Sequence, residues 1–98
     1  MTNRILTHEE LEHIARHFRL LGEPMRLKIL QTVCEKPHTV TEIVTATGST
    51  QANVSKHLAL LTAGGILKRE RDGQFVYYHV KDQLVVRLCE LVHAQLVD

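Results

Sequence analysis

The sequence predicts a mainly α-helical domain with one small β-hairpin. Three observations carry that expectation. Apolar residues recur at three- and four-residue intervals in separate stretches, Thr-x-x-Glu signatures and Gly or Pro residues punctuate those stretches, and a Val- and Tyr-rich run follows Asp72-Gly73.

Taken in order, Thr7 with Glu10 reads as a capping box, and Leu11, Ile14, Ala15, Phe18 and Leu21 continue it as a first helix over roughly 8–20. Pro24 suits the first turn of a second helix, where its missing N–H costs little, and Leu27, Ile29, Leu30 and Val33 supply an apolar face before Pro37. Thr39 with Glu42 opens a third, short helix that stops at Gly48, where a left-handed residue is wanted. Ser49 or Thr50 caps a fourth, in which Val54, Leu58 and Leu61 align before Gly64-Gly65. Ile66 to Arg71 and Gln74 to Val80 flank Asp72-Gly73 as a hairpin. Asp82 caps a last helix whose apolar residues, Leu84 to Val97, cover more than one narrow stripe, so burial against more than one neighbour is expected. A short helix, a glycine turn, a longer helix and a hairpin make a winged helix-turn-helix, with five helices and a two-stranded wing.

The length of 98 residues fits one domain spanning 1–98, and a domain this short gains from a second subunit. No apolar run approaches the roughly 20 residues that cross a bilayer, and MTNRILTHEE has no signal-peptide pattern, so a cytoplasmic location and no membrane partner are expected. Cys34 and Cys89 form no CxxC and read as reduced thiols. The net charge of +1 says little, but its distribution says more: residues 49–81 hold five basic and two acidic side chains, against six and six in 1–48 and one and three in 82–98.

On a helical wheel, Val54, Leu58 and Leu61 turn inward while Gln51, Ala52, Ser55, Lys56 and Ala59 lie on or near the opposite side. Small and polar residues there suit a helix in the major groove of double-stranded DNA: Gln51 can pair with adenine, Ser55 can bond a base edge or phosphate, and Lys56 can neutralise a phosphate. Thr50, at the helix N-terminus, can add a phosphate contact. Lys68, Arg69 and Arg71 before the turn and Lys81 after it can follow the backbone, with Gly73 allowing a tight tip. The competing readings are a solvated helix face and an edge-protecting charge pattern. His57 sits beside the inward side and reads as structural.

Three stretches resemble a known family. Leu21-Gly22-Glu23-Pro24-Met25-Arg26-Leu27-Lys28-Ile29-Leu30 is similar to the LxxPxRLxIL opening of the ArsR/SmtB repressors, Ser49-Thr50-Gln51-Ala52-Asn53-Val54-Ser55-Lys56-His57-Leu58 resembles their SQxxVSxHL recognition helix, and Asp72 to Tyr78 continues the match. The resemblance covers about residues 11 to 97. It implies a homodimer formed through the first and last helices, bound to a palindromic operator until an inducer is sensed. Two departures stand out. Thr39-Val40-Thr41-Glu42 replaces the CxCxxD-like metal box of the arsenic, cadmium and lead sensors, and Asp82-Gln83-Leu84 replaces the Asp-x-His pair of the zinc-type site.

Two sensing sites stay open. His13 and His17 on the first helix and Cys89 and His93 on the last are each four residues apart, with Asp82 near by; if those helices pack together they can bind zinc, nickel or cobalt at a dimer interface. Alternatively Cys34 and Cys89 form a reversible disulfide or polysulfide link, as the resemblance to dithiol members implies. Buried cysteines and interface histidines that merely pack are the bland reading of both. No compact nucleophile–base motif or paired carboxylates suggests an enzyme. A winged-helix protein-interaction module, or a DNA binder without inducer, is the alternative to a regulated repressor.

Overall fold

Both Thr-x-x-Glu signatures close as reciprocal capping boxes. Thr7 Oγ1 accepts from Glu10 N at 3.1 Å and Glu10 Oε1 from Thr7 N at 2.8 Å, and Thr39 with Glu42 repeats the pattern at 3.2 and 2.9 Å. In this computed structural model, which describes residues 5–97, the boxes start α1 (His8–Leu21) and α3 (Val40–Thr47). The ends of the expected 1–98 unit lie outside the described residues. Glu23 opens α2 (Pro24–Val33) by accepting from Met25 N at 2.9 Å, and Gly48 ends α3 with φ 72°. Thr50, not Ser49, caps α4 (Gln51–Ala63) through Asn53 N at 3.1 Å, while Ser49 Oγ accepts from the Asn53 side chain at 2.9 Å. Asp82 Oδ1 caps α5 (Gln83–Leu96) through Leu84 N.

The hairpin differs by one residue from its expected register. Strands β1 (Leu67–Asp72) and β2 (Phe75–Val80) pair antiparallel with Asp72 opposite Phe75, so the two turn residues are Gly73-Gln74 rather than Asp72-Gly73. Gly73 has φ 64° and no non-glycine residue among the described ones is positive, which is the glycine-first turn and not the Asp-Gly type with two positive residues. His38 adds a bridge that the sequence did not reveal. Its N–H donates to Tyr78 O at 3.0 Å and its carbonyl accepts from Tyr78 N at 2.8 Å, so the chain before α3 protects the free edge of β2.

Ile29, Leu30 and Val33 of α2, Ile43 of α3 and Val54, Leu58 and Leu61 of α4 form the core with Ile66, Leu67, Val80 and Val85. The outer helices contribute little: α1 has no fully buried residue and α5 only Val85. Leu11, Ile14 and Phe18 on α1 and Leu84, Leu91, Val92 and Leu96 on α5 remain exposed, so the broad apolar face of α5 is uncovered within one protomer. Among the described residues no helix is long and apolar enough to cross a membrane.

Adjacent leucines on α4 measure how far this core extends. Leu61 is 0% and Leu60 43% exposed. Leu61→Ala is expected to cost about 2–5 kcal/mol and Leu60→Ala under about 1 kcal/mol, read as the shift of a urea unfolding midpoint at constant slope.

Candidate nucleic-acid interface

The short α3, its left-handed exit at Gly48 and the longer α4 form the helix-turn-helix. Helix α4 is strictly two-sided. Val54, His57, Leu58 and Leu61 are buried, whereas Gln51, Ala52, Ser55, Lys56 and Ala59 are exposed, as is Thr50 at the N-cap. The exposed side therefore presents the amide of Gln51, the hydroxyl of Ser55 and the ammonium of Lys56 among alanines, with Leu60 one turn beyond Lys56 also exposed.

The wing divides its basic residues. Pairing places Lys68 opposite His79, Arg69 opposite Tyr78 and Arg71 opposite Val76, so alternation puts Arg69 and Arg71 on the face shared with Tyr78 and Val76. Lys68 points the other way with Glu70 and Asp72. On that second face Glu70 pairs with His79. Arg69 and Arg71 thus form a basic pair free of carboxylates on their own face, and Gly73 lies exposed at the tip. Tyr78 packs on the core, while Tyr77 meets Phe75 edge-on at a centroid distance of 6.5 Å.

His57 holds α4 from behind. Arg26 Nε donates to His57 Nδ1 at 3.2 Å, and His57 Nε2 lies 3.2 Å from Glu23 Oε2, which is closed off from solvent and outside hydrogen-bond alignment. Burial pushes the His57 pKa below its ordinary value; Glu23 opposes the shift, and Lys56 and Arg26 add to it. The pairing of Arg26 with His57, 31 residues apart, has no local sequence signal. Only the position of His57 beside inward-facing Leu58 hints at a structural role.

The candidate sensing residues separate into two places within the chain. His17 Nε2 meets Asp82 Oδ2 at 3.1 Å and its Nδ1 meets His13 O at 3.2 Å, with the two imidazoles edge-on. Asp82 therefore faces α1 instead of the Cys89–His93 side where the sequence placed it. Cys34, Cys89 and His93 line a different feature, a groove of about 400 Å³ between α2 and α5, together with Gln31 and Glu90. Cys34 is half-buried and donates to Gln31 O at 3.2 Å; Cys89 is exposed. Among the described residues, no three His, Cys, Asp or Glu side chains gather in a metal-binding arrangement.

Comparison with known proteins places this architecture. Residues 23–69 match a family model described as bacterial regulatory protein, arsR family. The chain is 38% identical over 84 residues to the probable mercury resistance operon repressor of Streptomyces lividans, covering 86% of this chain and 67% of that one. It is 33% identical to the transcriptional repressor PagR of Bacillus anthracis, covering 85% and 84%. Its fold is similar, at a TM-score of 0.79 and 30% identity over 96% of this chain and 88% of the other, to the homodimeric winged helix-turn-helix DNA-binding domain of a possible ArsR-family regulator from Mycobacterium bovis. Motifs, fold and relatives coincide over most of the chain, and the protein belongs to the ArsR/SmtB family of winged helix-turn-helix transcription regulators.

Proposed function

We propose that the protein is a homodimeric repressor that binds a palindromic operator and is released by a thiol-based signal. The two-sided exposure of α4 carries the DNA reading: a helix whose inner side is locked in the core presents Gln51, Ala52, Ser55 and Lys56 as a rigid outer surface. In the major groove Gln51 reads a base edge, Ser55 a base or phosphate, and Lys56 and Thr50 phosphates. Arg69 and Arg71, aided by the tight tip at Gly73, contact the flanking backbone, and Lys68 adds to the field from the opposite face of the wing. The open apolar faces of α1 and α5 suit a two-fold dimer, which presents two copies of α4 to two half-sites. All 98 residues would act as this one unit in the cytoplasm, where the DNA is, with no enzymatic role.

The location of Cys34 and Cys89 on one groove favours the thiol signal. In that step the two thiols give up two protons and two electrons, a polysulfide S–S bond breaks and its sulfurs leave as hydrosulfide, and either an Sγ–Sγ bond forms or one sulfane sulfur of the polysulfide is retained as a bridge between α2 and α5. A metal signal is the second reading. It draws on the thiols and His93 sharing that groove, and on the relative named for mercury resistance. For zinc, nickel or cobalt, His13 and His17 of one copy would have to meet Cys89 and His93 of the other.

Fluorescence anisotropy against DNA upstream of the protein's own gene is expected to show selective binding that weakens steeply with salt. Lys56→Ala should weaken all sequences alike and lower the salt slope by about 1, and Gln51→Ala should cost about 1–3 kcal/mol at one base position. Binding without salt dependence or selectivity would favour a protein-interaction module instead.

Treatment of the reduced dimer with polysulfide should release the DNA and alter the mass in step, and either Cys34→Ser or Cys89→Ser should abolish both effects. Retention of a response to zinc, nickel or cobalt in Cys34→Ser would select the interfacial metal reading. A protein indifferent to every agent is a constitutive binder.

A further inference from the structure

We infer that Arg26 is a positioning residue that ties the DNA-reading helix α4 to the C-terminal end of α1 by way of the neutral imidazole of His57. The functional consequence rests on the DNA-binding reading above; the coupling itself does not.

One guanidinium serves both helices. Its Nη1 lies 3.4 Å from Arg19 O and from Leu20 O, in the last turn of α1, where carbonyls lack partners within the helix, and its Nε donates to His57 Nδ1 at 3.2 Å in the middle of α4. A second contact joins the same two elements. Leu20 of α1 packs so closely on Gly64, at the end of α4, that a Cβ there would lie 2.3 Å from Leu20 Cδ1. Helix α1 also carries the open apolar face of Leu11, Ile14 and Phe18, so any partner that seats α1 acts on α4 through these two contacts.

The chemistry allows only one state of His57. A guanidinium has donors and no acceptor, so Nδ1 must be the acceptor and the ring proton sits on Nε2, toward Glu23. Protonation of Nδ1 would set N–H against N–H and break the link. The charged groups around the ring are Glu23 at the N-cap of α2, Arg26 in its first turn and Lys56 from α4, while α1 contributes only backbone carbonyls to the network. Burial holds the His57 pKa below its unfolded value of about 6.5, so between the two values the unfolded chain binds more protons. The stability from this link is complete above about pH 6.5 and declines as pH falls from there toward the lowered native value.

The test uses the full-length dimer, with Arg26→Ala and the charge-conserving Arg26→Lys. Nitrogen NMR of the wild type should show an unprotonated Nδ1 and a protonated Nε2 on His57 at pH 7.5. Arg26→Ala should abolish that tautomer preference, speed amide exchange in α4 about tenfold while leaving the β1–β2 amides unchanged, and weaken operator-region DNA binding about tenfold at pH 7.5. Wild-type α4 should lose protection as pH falls below about 6.5, and that dependence should weaken in Arg26→Ala, where burial still lowers the His57 pKa but the link is gone. Arg26→Lys should recover part of the α4 protection, and it decides the matter if the alanine variant fails to fold. An Nδ1-protonated His57 in the wild type, or variants with unchanged tautomer, exchange and pH profile, would overturn the inference. If the wild type binds no duplex selectively, the DNA-binding reading falls while tautomer and exchange still judge the coupling.

Discussion

The structure depends on α4 having to be buried and exposed at once. Its inner side, Val54, Leu58 and Leu61, supplies the centre of a small core, and its outer side must stay rigid and solvent-facing. A 13-residue helix has little intrinsic stability, so its conformation is borrowed from packing. Helices α2 and α3 pack beneath it, and the Gly48 exit sets its direction from α3. His57 is the one polar residue on the buried side. Arg26 and Glu23 meet its two ring nitrogens from the start of α2, which makes that buried polar group a fixture of helix orientation.

Around this centre the peripheral elements are only partly satisfied by the protomer itself. Helices α1 and α5 bring apolar residues that the core does not cover; beside the packing of Leu20, Leu21, Val85 and Val86, the His17–Asp82 contact joins α1 to the N-cap of α5. Asp82 thereby caps a helix with one oxygen and faces a histidine with the other. The groove that holds Cys34 and Cys89 lies between α2, anchored in the core by Ile29, Leu30 and Val33, and α5, which buries only Val85.

The wing shows how pairing geometry refines a charge pattern. Lys68, Arg69 and Arg71 look equivalent in sequence, yet alternation separates the arginines from the lysine, and the lysine shares its face with Glu70 and Asp72. A shift of one residue in the turn would carry both arginines together to the opposite face, so the Gly73-Gln74 position of the turn sets which face of the wing they occupy.

The helices, their caps and the two-sidedness of α4 were legible in the sequence because they depend on local physics: side-chain oxygens reaching amides three residues on, proline at a first turn, glycine with positive φ, and apolar periodicity. The resemblance in three ordered motifs likewise marked the family. What only the tertiary structure decided is what joins distant residues: the bridge from His38 to β2, the tie from Arg26 to His57, the turn of Asp82 toward His17, and the placing of Cys34 and Cys89 in the lining of one groove. None of these has a periodic or neighbouring signature, because each is set by how whole elements pack and not by the residues that flank it.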